Sequence, residues 1–211
     1  MVKYRNGMSS RPDPSPRAAR TRAALIAAGF DLLVEKPIDA IPIDELVARA
    51  GVAKGSFFNH FADKGDFARV IATEVRLELE ALVTRANAGV TDPILRIAGG
   101  MRTGGRFALT QPKRSAVLLR SHASSTLRTH PLNRGLLTDI ELALAQGLLR
   151  PEAVESGVLF WLGLCQALIA NLVETRPCPS DANARINDMI IMGLTGLGAT
   201  MERARMALTE S

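Results

Sequence analysis

The stretch from residue 43 to residue 61, IDELVARAGVAKGSFFNHF, constrains the fold more than any other part of the chain. Its first half has apolar residues at helical spacing, which give one short helix a single apolar side that must pack on another element. These residues are Ile43, Leu46, Val47 and Ala50. Gly51 follows, and glycine adopts the left-handed conformation at low cost, so the chain can turn sharply and begin another helix. Two helices joined by such a turn are a helix-turn-helix.

The second helix is predicted from Ala53 to Phe61 and has two unequal sides. Val52, Phe57 and Phe61 can face a core, whereas the opposite side is polar and partly cationic. The polar side consists of Lys54, Ser56, Asn59 and His60. On an isolated helix such a side is an ordinary solvated surface, but within a helix-turn-helix we expect it to contact DNA.

Each side chain on the polar side has its own expected role. Asn59 can pair with adenine, and Lys54 can reach guanine or a phosphate. Ser56 adds a hydroxyl donor near the helix N-terminus, where phosphate can dock, and Gly55 lets the backbone approach closely. Phosphate contacts, which set the register without reading the base sequence, are expected at His60 and Lys64.

The stretch resembles the DNA-binding signature of the TetR (tetracycline repressor-like) family of bacterial transcription regulators. The family pattern reads roughly T-V-x-x-I-A-x-x-A-G-V-S-x-G-T-L-Y-x-H-F-x-x-K-x-x-L, and the resemblance extends from near Arg20 to near Val70. The corresponding residues are Pro42, Ile43, Leu46, Val47, Ala50, Gly51, Val52, Ala53, Gly55, Ser56, Phe57, Phe58, His60, Phe61, Lys64 and Phe67. The resemblance implies an all-α fold, in which a three-helix DNA-binding domain is followed by a larger helical domain for ligand binding and dimerisation.

Three positions depart from the family pattern. Pro42 and Ala53 stand where the family usually has a Thr and a Ser that cap the two helices. Phe58 stands where a Tyr usually offers its hydroxyl to a phosphate. The resemblance still places Phe58 at the DNA, where its ring can contact a thymine methyl group or a deoxyribose.

The positive charge of the chain is concentrated at its N-terminus. The formal net charge is +5, and the first 22 residues hold six basic side chains against one acidic side chain. The basic residues are Lys3, Arg5, Arg11, Arg17, Arg20 and Arg22. We expect Arg17, Arg20 and Arg22 to contact the DNA backbone, and Arg5 and Arg11 to enter a minor groove. The alternative is a disordered tail that only increases solubility.

Composition and periodicity divide the chain into three parts. Residues 1–16 are expected to be a disordered basic arm, residues 17–62 the DNA-binding domain, and residues 63–211 the effector-binding and dimerisation domain. Helices are predicted at residues 17–34, 43–50, 53–61, 64–88, 93–109, 112–127, 131–149, 151–174 and 181–207. Asp63 is a predicted cap for the fourth of these helices.

The resemblance implies a ligand pocket and a dimer interface in the larger domain. Candidate pocket residues are Phe107, Leu118, Trp161 and Cys165, with His122 and Gln166 as polar groups. Plain core packing is the alternative for each of them. A homodimer is expected through the last two helices, because the charge-free stretch 156–173 and the segment 189–201 are too apolar for the surface of a monomer.

The stretch 156–173 also approaches the length of a membrane span, with 18 residues and no charge. Gln166 and Asn171 interrupt its apolar character, and no cluster of Lys or Arg flanks it. We therefore expect a helix buried on nearly all sides, and no membrane partner. In the segment 189–201, Gly193, Gly196 and Gly198 are expected to allow close approach of another helix.

Other classes of function find little support in the sequence. No GxSxG, Walker loop, dinucleotide fingerprint or HExxH is present, so we expect no enzyme and no cofactor. Two widely separated cysteines and two isolated histidines, His122 and His130, do not make a metal site. The expected function is that of a cytoplasmic, dimeric transcription repressor, which a small-molecule effector releases from a palindromic operator in double-stranded DNA. The alternative is an architectural DNA-binding protein that has no effector.

Overall fold

The chain folds into helices, as the sequence predicts. The computed structural model describes residues 15–120 and 126–209, and these contain ten α-helices, two short 3-10 helices and no strand. The α-helices are α1 (Pro16–Glu35), α2 (Ile43–Ala50), α3 (Lys54–Phe58), α4 (Lys64–Ala86), α5 (Pro93–Thr110), α6 (Pro112–Arg120), α7 (Arg134–Ala145), α8 (Ala153–Thr175), α9 (Pro179–Leu197) and α10 (Met201–Thr209). The 3-10 helices are Ile38–Ala40 and Pro131–Asn133. The prediction of an all-α fold is confirmed.

Local sequence features fix the starts of several helices. Asp63 caps α4, because its carboxylate accepts a hydrogen bond from the Asp66 N–H at 2.7 Å. Asp92 caps α5 in the same way and accepts from the Ile94 N–H at 2.8 Å. Such a cap contributes about 1 kcal/mol to stability. Proline occupies the first turn of α1, α5 and α9, where an N–H group would have no acceptor within the helix, so its absence costs no hydrogen bond.

The second helix of the helix-turn-helix is shorter than predicted. α3 ends at Phe58, whereas the sequence predicts a helix as far as Phe61. The backbone N–H groups of His60 and Phe61 both donate to the Phe57 carbonyl at 3.0 Å, which tightens the chain into a turn. This turn directs Phe61 inward and brings Ala62 and Asp63 to the start of α4.

The last predicted helix, at residues 181–207, is two helices. α9 ends at Leu197 because Gly198 adopts a φ of 106°, a conformation that favours glycine. The Arg150 N–H donates to the Leu197 carbonyl at 2.8 Å, and a Cβ atom on Gly198 would lie 2.5 Å from the same nitrogen. The break therefore serves a close contact with the chain before α8.

Two clusters of buried apolar residues form the core. The first joins α1, α2 and α3 to the first part of α4, and it includes Phe107 of α5 and Val117 of α6. The second lies among α5, α7, α8, α9 and α10, with Trp161 as its largest side chain. The core of the DNA-binding region therefore extends beyond residue 62, where the domain boundary is predicted.

α8 is long, apolar and only partly buried. Its 23 residues would suffice to cross a membrane by length and composition, and 33% of its most apolar window is buried. Trp161 and Leu168 lie in the core, each 2% exposed, whereas Leu159 is 58% and Phe160 is 40% exposed. The prediction of a helix buried on nearly all sides is wrong. One side of α8 belongs to the second core cluster, and the other is an apolar surface.

Candidate DNA-binding surface and ligand cavity

The turn between α2 and α3 has the geometry that the sequence predicts. Gly51 has a φ of 67° and a ψ of 33°, in the left-handed region. The Val52 N–H donates to the Val47 carbonyl at 3.0 Å and closes the turn. A Cβ atom on Gly51 would meet no atom within 4 Å, so a larger side chain would fit in the available space. Glycine is favoured here because of the left-handed backbone conformation.

Aromatic packing sets the orientation of α3. Phe57 is 0% and Phe61 is 3% exposed, and both pack on Phe67 of α4. The ring centroids lie 5.4 Å apart for Phe57 and Phe67, and 4.7 Å apart for Phe61 and Phe67. The predicted inward side of the second helix is confirmed, and the opposite side of α3 must therefore face away from the core.

The outward side of α3, together with the turn that follows it, carries most of the predicted DNA-contacting residues. Gly55, Phe58 and Asn59 are exposed, and Phe58 has 56% of its surface accessible. Ser56 and His60 are partly buried at the edges of this surface. An exposed aromatic ring beside an amide is an arrangement that offers both apolar contact and paired hydrogen bonds to base edges.

Lys54 belongs to the same surface and forms an ion pair with Asp44 of α2. The Lys54 Nζ lies 2.8 Å from the Asp44 Oδ1, and the two side chains are 61% and 70% exposed. Ion pairs this exposed contribute little to stability, so Lys54 can exchange Asp44 for a phosphate or a base.

Lys64 has a different position from the one that the sequence predicts. Its Nζ donates to the backbone carbonyls of Ile38, Asp39 and Ile41, at 3.2, 3.2 and 3.1 Å. An ammonium group has three N–H donors, so these carbonyls use all of them. Lys64, at the start of α4, therefore holds the connection between α1 and α2, and no donor is left over for a phosphate in this conformation.

The arginines near the start of α1 divide into two groups. Arg17 and Arg20 are exposed and point to no partner in the part of the chain that the structure describes. Arg22 instead lies over the Phe61 ring, 5.7 Å from its centroid, and 3.7 Å from the Glu74 carboxylate. Arg5 and Arg11 lie outside the described residues.

A cavity of about 970 Å³ lies between α4 and the helices α5, α6, α7 and α8. Four of the six predicted pocket residues line it, namely Leu118, Trp161, Cys165 and Gln166. The prediction for Phe107 is wrong, because this side chain is 2% exposed and packs in the first core cluster. His122 lies outside the described residues.

Sequence reasoning missed the polar side of α4, which contributes Arg76 and Glu80 to the cavity. The Arg76 Nε donates to the Glu80 Oε1 at 2.7 Å, and its Nη2 donates to the Asn133 Oδ1 at 3.0 Å. The spacing of Arg76 and Glu80, four residues apart on one helix, indicates an ion pair. It does not indicate that the pair faces inward.

A second ion pair lies at the far end of the cavity. The Arg96 Nε donates to the Asp139 Oδ1 at 2.6 Å, and Asn87 donates to the Arg96 carbonyl at 3.0 Å. Burial raises the pKa of Asp139, although the hydrogen bond and charge of Arg96 act in the opposite direction. Cys165 also lines the cavity, and burial raises its pKa to about 12, so this thiol stays neutral and unreactive near pH 7.

An apolar surface lies on the outer sides of α8 and α9. Leu159 and Met192 are 58% and 57% exposed there, and Phe160 is 40% exposed. The glycines of α9 allow close approach within the chain: Cβ atoms on Gly193 and Gly196 would lie 2.7 Å from the rings of Trp161 and Phe160. α8 and α9 thus form one closely packed pair, and its outer side is apolar.

A helix-turn-helix with an outward polar side, joined to a larger helical domain with a cavity, is typical of a class of protein, the DNA-binding regulators. The chain spans about a quarter of the length of the curated relatives that it matches. Residues 25–71 match the model of the bacterial regulatory proteins, tetR family. The DNA-binding region of the chain is therefore similar to that of this family, whose members are DNA-binding transcription regulators and not enzymes.

Individual relatives match the DNA-binding region in sequence and almost the whole chain in fold. The chain is 40% identical over 57 residues to the transcriptional regulator AcuR of Cereibacter sphaeroides, a match that spans 27% of this chain and 26% of AcuR. The structure of a putative tetR family regulator from Shewanella sp. PV-4 has a TM-score of 0.72 at 16% identity, and the match covers 85% of this chain and 98% of that one.

Two structures of ligand complexes share the fold. RolR in complex with resorcinol has a TM-score of 0.59 at 19% identity, and the match covers 94% of this chain and 97% of RolR. AibR in complex with isovaleryl coenzyme A and operator DNA also has a TM-score of 0.59 at 19% identity, with coverage of 82% and 97%. At 19% identity these comparisons show a shared fold and nothing more specific.

Proposed function

We propose that the protein is a homodimeric transcription repressor, which binds a palindromic operator in double-stranded DNA and is released by a small-molecule effector. One observation carries the proposal: α4 packs against the helix-turn-helix at one end and lines the cavity along its length. The solved relatives with the same fold add support, since RolR binds resorcinol, and AibR binds isovaleryl coenzyme A and operator DNA.

The proposed DNA contacts lie on the outward side of α3 and at the start of α1. Asn59 and Lys54 read base edges, and Phe58 adds an apolar contact to a thymine methyl group or a deoxyribose. Phosphates bind at the partly buried edge of this surface and at α1. The residues assigned to phosphate or backbone contact are Gly55, Ser56, His60, Arg17 and Arg20. We leave Lys64 out of this set because its donors bond to backbone carbonyls.

The proposed dimer forms through the apolar outer sides of α8 and α9. Leu159, Phe160 and Met192 are exposed in the single chain, and a second copy would cover them. A two-fold axis would present two α3 helices to half-sites about 34 Å apart along the DNA. The protein would work in the cytoplasm, where bacterial DNA lies.

Release by an effector follows from the position of the cavity. Its lining extends from Asn87 at the far end of α4 to Gly65 and Ile38, next to the connection that Lys64 holds. A ligand that fits only one arrangement of α4 therefore changes the fraction of molecules whose α3 helices fit the operator. The cavity favours this function over the architectural DNA-binding protein, for which we expect a small or filled cavity.

Selection of genomic fragments by the purified protein tests the proposal. At about 150 mM salt, where non-specific binding is weak, we expect enrichment of one palindrome. Asn59→Ala should relax the preference at one position of each half-site and weaken binding, whereas Asn183→Ala, at an exposed position on α9, should change neither. Uniform weakening at all base positions would instead support the architectural protein.

A further inference from the structure

We propose that the effector is an organic anion, with a carboxylate-like head that binds Arg76 and an apolar body that lies against α8. This inference rests on the proposed function, because it assigns the chemistry of the ligand in the same cavity. It follows from the charge of the lining, from the hydrogen bonds of Arg76 and from the apolar walls.

The lining of the cavity has an excess of positive charge. Four arginines line it against two carboxylates, as far as the described residues go. The arginines are Arg69, Arg76, Arg96 and Arg120, and the carboxylates are Glu80 and Asp139. Arg76 and Arg96 pair with the two carboxylates at 2.6 Å, and Arg69 pairs with Asp66, outside the lining, at 2.5 Å. Arg120 donates to the Leu33 carbonyl and has no carboxylate partner among the described residues, so its charge is the excess. A cleft with such an excess attracts anions.

Arg76 is the cation best placed to bind a ligand. It lies in the middle part of α4, and its side chain is only 18% exposed. Its Nε and Nη2 donate to Glu80 and Asn133, whereas its Nη1 has no hydrogen-bond partner among residues 15–120 and 126–209. This N–H group is therefore available to donate a charged hydrogen bond to an oxygen of the ligand.

The walls around Arg76 are apolar and leave room for more than a carboxylate. Leu79 and Val83 lie on the same helix, and Trp161, Leu162 and Ile169 line the opposite side from α8. The volume of about 970 Å³ is at the upper end of the range for small-molecule sites. The combination of one guanidinium and apolar walls fits an amphipathic acid better than an alcohol or an amine of the same length.

Ligand binding can be measured by the fluorescence of Trp161, because this residue is the single tryptophan of the chain and lines the cavity. Its fluorescence is recorded during titration with straight-chain ligands of four to twelve carbons, each as the acid, the primary alcohol and the primary amine. For at least one chain length, we expect the acid to bind more tightly than both analogues, by about tenfold or more, as for a charged hydrogen bond.

Two substitutions move this preference in opposite directions. Arg76→Met should abolish tight binding of the acid and make the amine the preferred ligand, because Glu80 is then left without its partner. Glu80→Gln should tighten binding of the acid, since it removes the carboxylate that competes for Arg76. Arg134→Gln, at an exposed position that does not line the cavity, is the matched control and should leave all affinities unchanged.

The inference is overturned if no acid changes the Trp161 fluorescence below about 1 mM, or if the alcohol or amine binds as tightly as the acid. It is also overturned if Glu80→Gln does not tighten binding of the acid. The same ligands are then added to the complex with the selected operator. Release of DNA by an alcohol or amine would support the proposed function but contradict an anionic effector. An acid that binds and releases no DNA would support the anionic ligand but contradict release of the operator by the effector.

Discussion

Replacement of Lys64 by Met tests whether this lysine acts on DNA directly or through the connection between α1 and α2. The substitution keeps an unbranched apolar stem and removes the ammonium group, so three backbone carbonyls lose a charged donor at 3.1 to 3.2 Å. Hydrogen bonds to charged groups contribute about 1.5 to 3 kcal/mol each when buried, but these bonds are long and water can partly replace them.

We therefore expect the free energy of unfolding to fall by about 2 kcal/mol, which lowers Tm by about 4 to 8 °C for a chain of this size. The helix-turn-helix would lose its fixed entry into α2, so the affinity for the operator should fall. Since no phosphate contact is lost, the slope of log K against log salt should not change. Urea unfolding and operator titrations at several salt concentrations measure the two effects.

Lys54 and Lys113 provide the comparison. Lys54→Met removes a cation from the outward side of α3, so the salt slope should become shallower by about one unit with little change in stability. Lys113→Met, at an exposed position on α6, should change neither quantity. If Lys64→Met makes the salt slope shallower by about one unit and leaves Tm unchanged, Lys64 binds a phosphate in the complex, and the structural role assigned to it here is wrong.

Three further predictions concern stability, thiol chemistry and assembly. Gly198→Ala should lower the free energy of unfolding by about 2 kcal/mol or more in urea titrations, because of the positive φ of this residue and a clash with the chain before α8. Iodoacetamide at pH 8 should alkylate the exposed Cys178 much faster than Cys165, as mass spectrometry of the peptides would show, because burial raises the pKa of Cys165 to about 12. Leu159→Glu should convert the proposed dimer to a monomer in light scattering, whereas Leu77→Glu, at a similarly exposed apolar position on α4, should not.

The parts of the fold that depend on neighbouring residues could be predicted from the sequence. The turn after α2 depends only on the backbone conformation of Gly51, and the cap of α4 depends only on a hydrogen bond between Asp63 and the N–H three residues later. Both features therefore follow from local chemistry. The inward side of α3 was also predictable, because Phe57 and Phe61 lie at helical spacing and are too apolar for a surface.

Features that depend on distant contacts could not be predicted in this way. Gly198 resembles Gly193 and Gly196 in the sequence, and only its contact with Arg150 shows why the helix ends there. Lys64 looks like a phosphate ligand because it follows the recognition helix, yet its acceptors lie 23 to 26 residues earlier in the chain. Each case depends on where another segment of the chain lies.

The cavity shows most clearly why the sequence led to only part of the site. In an apolar domain the sequence favours apolar and aromatic residues as pocket candidates. Trp161 and Leu118 do line the cavity, whereas Phe107 packs in the first core cluster. Arg76 and Glu80 look like an ordinary surface pair, because an ion pair four residues apart is usual on a solvated helix. Only the placement of α8 opposite α4 turns that pair toward the cavity. The polar groups that we propose to select the ligand therefore cannot be recognised from the helical periodicity of the sequence.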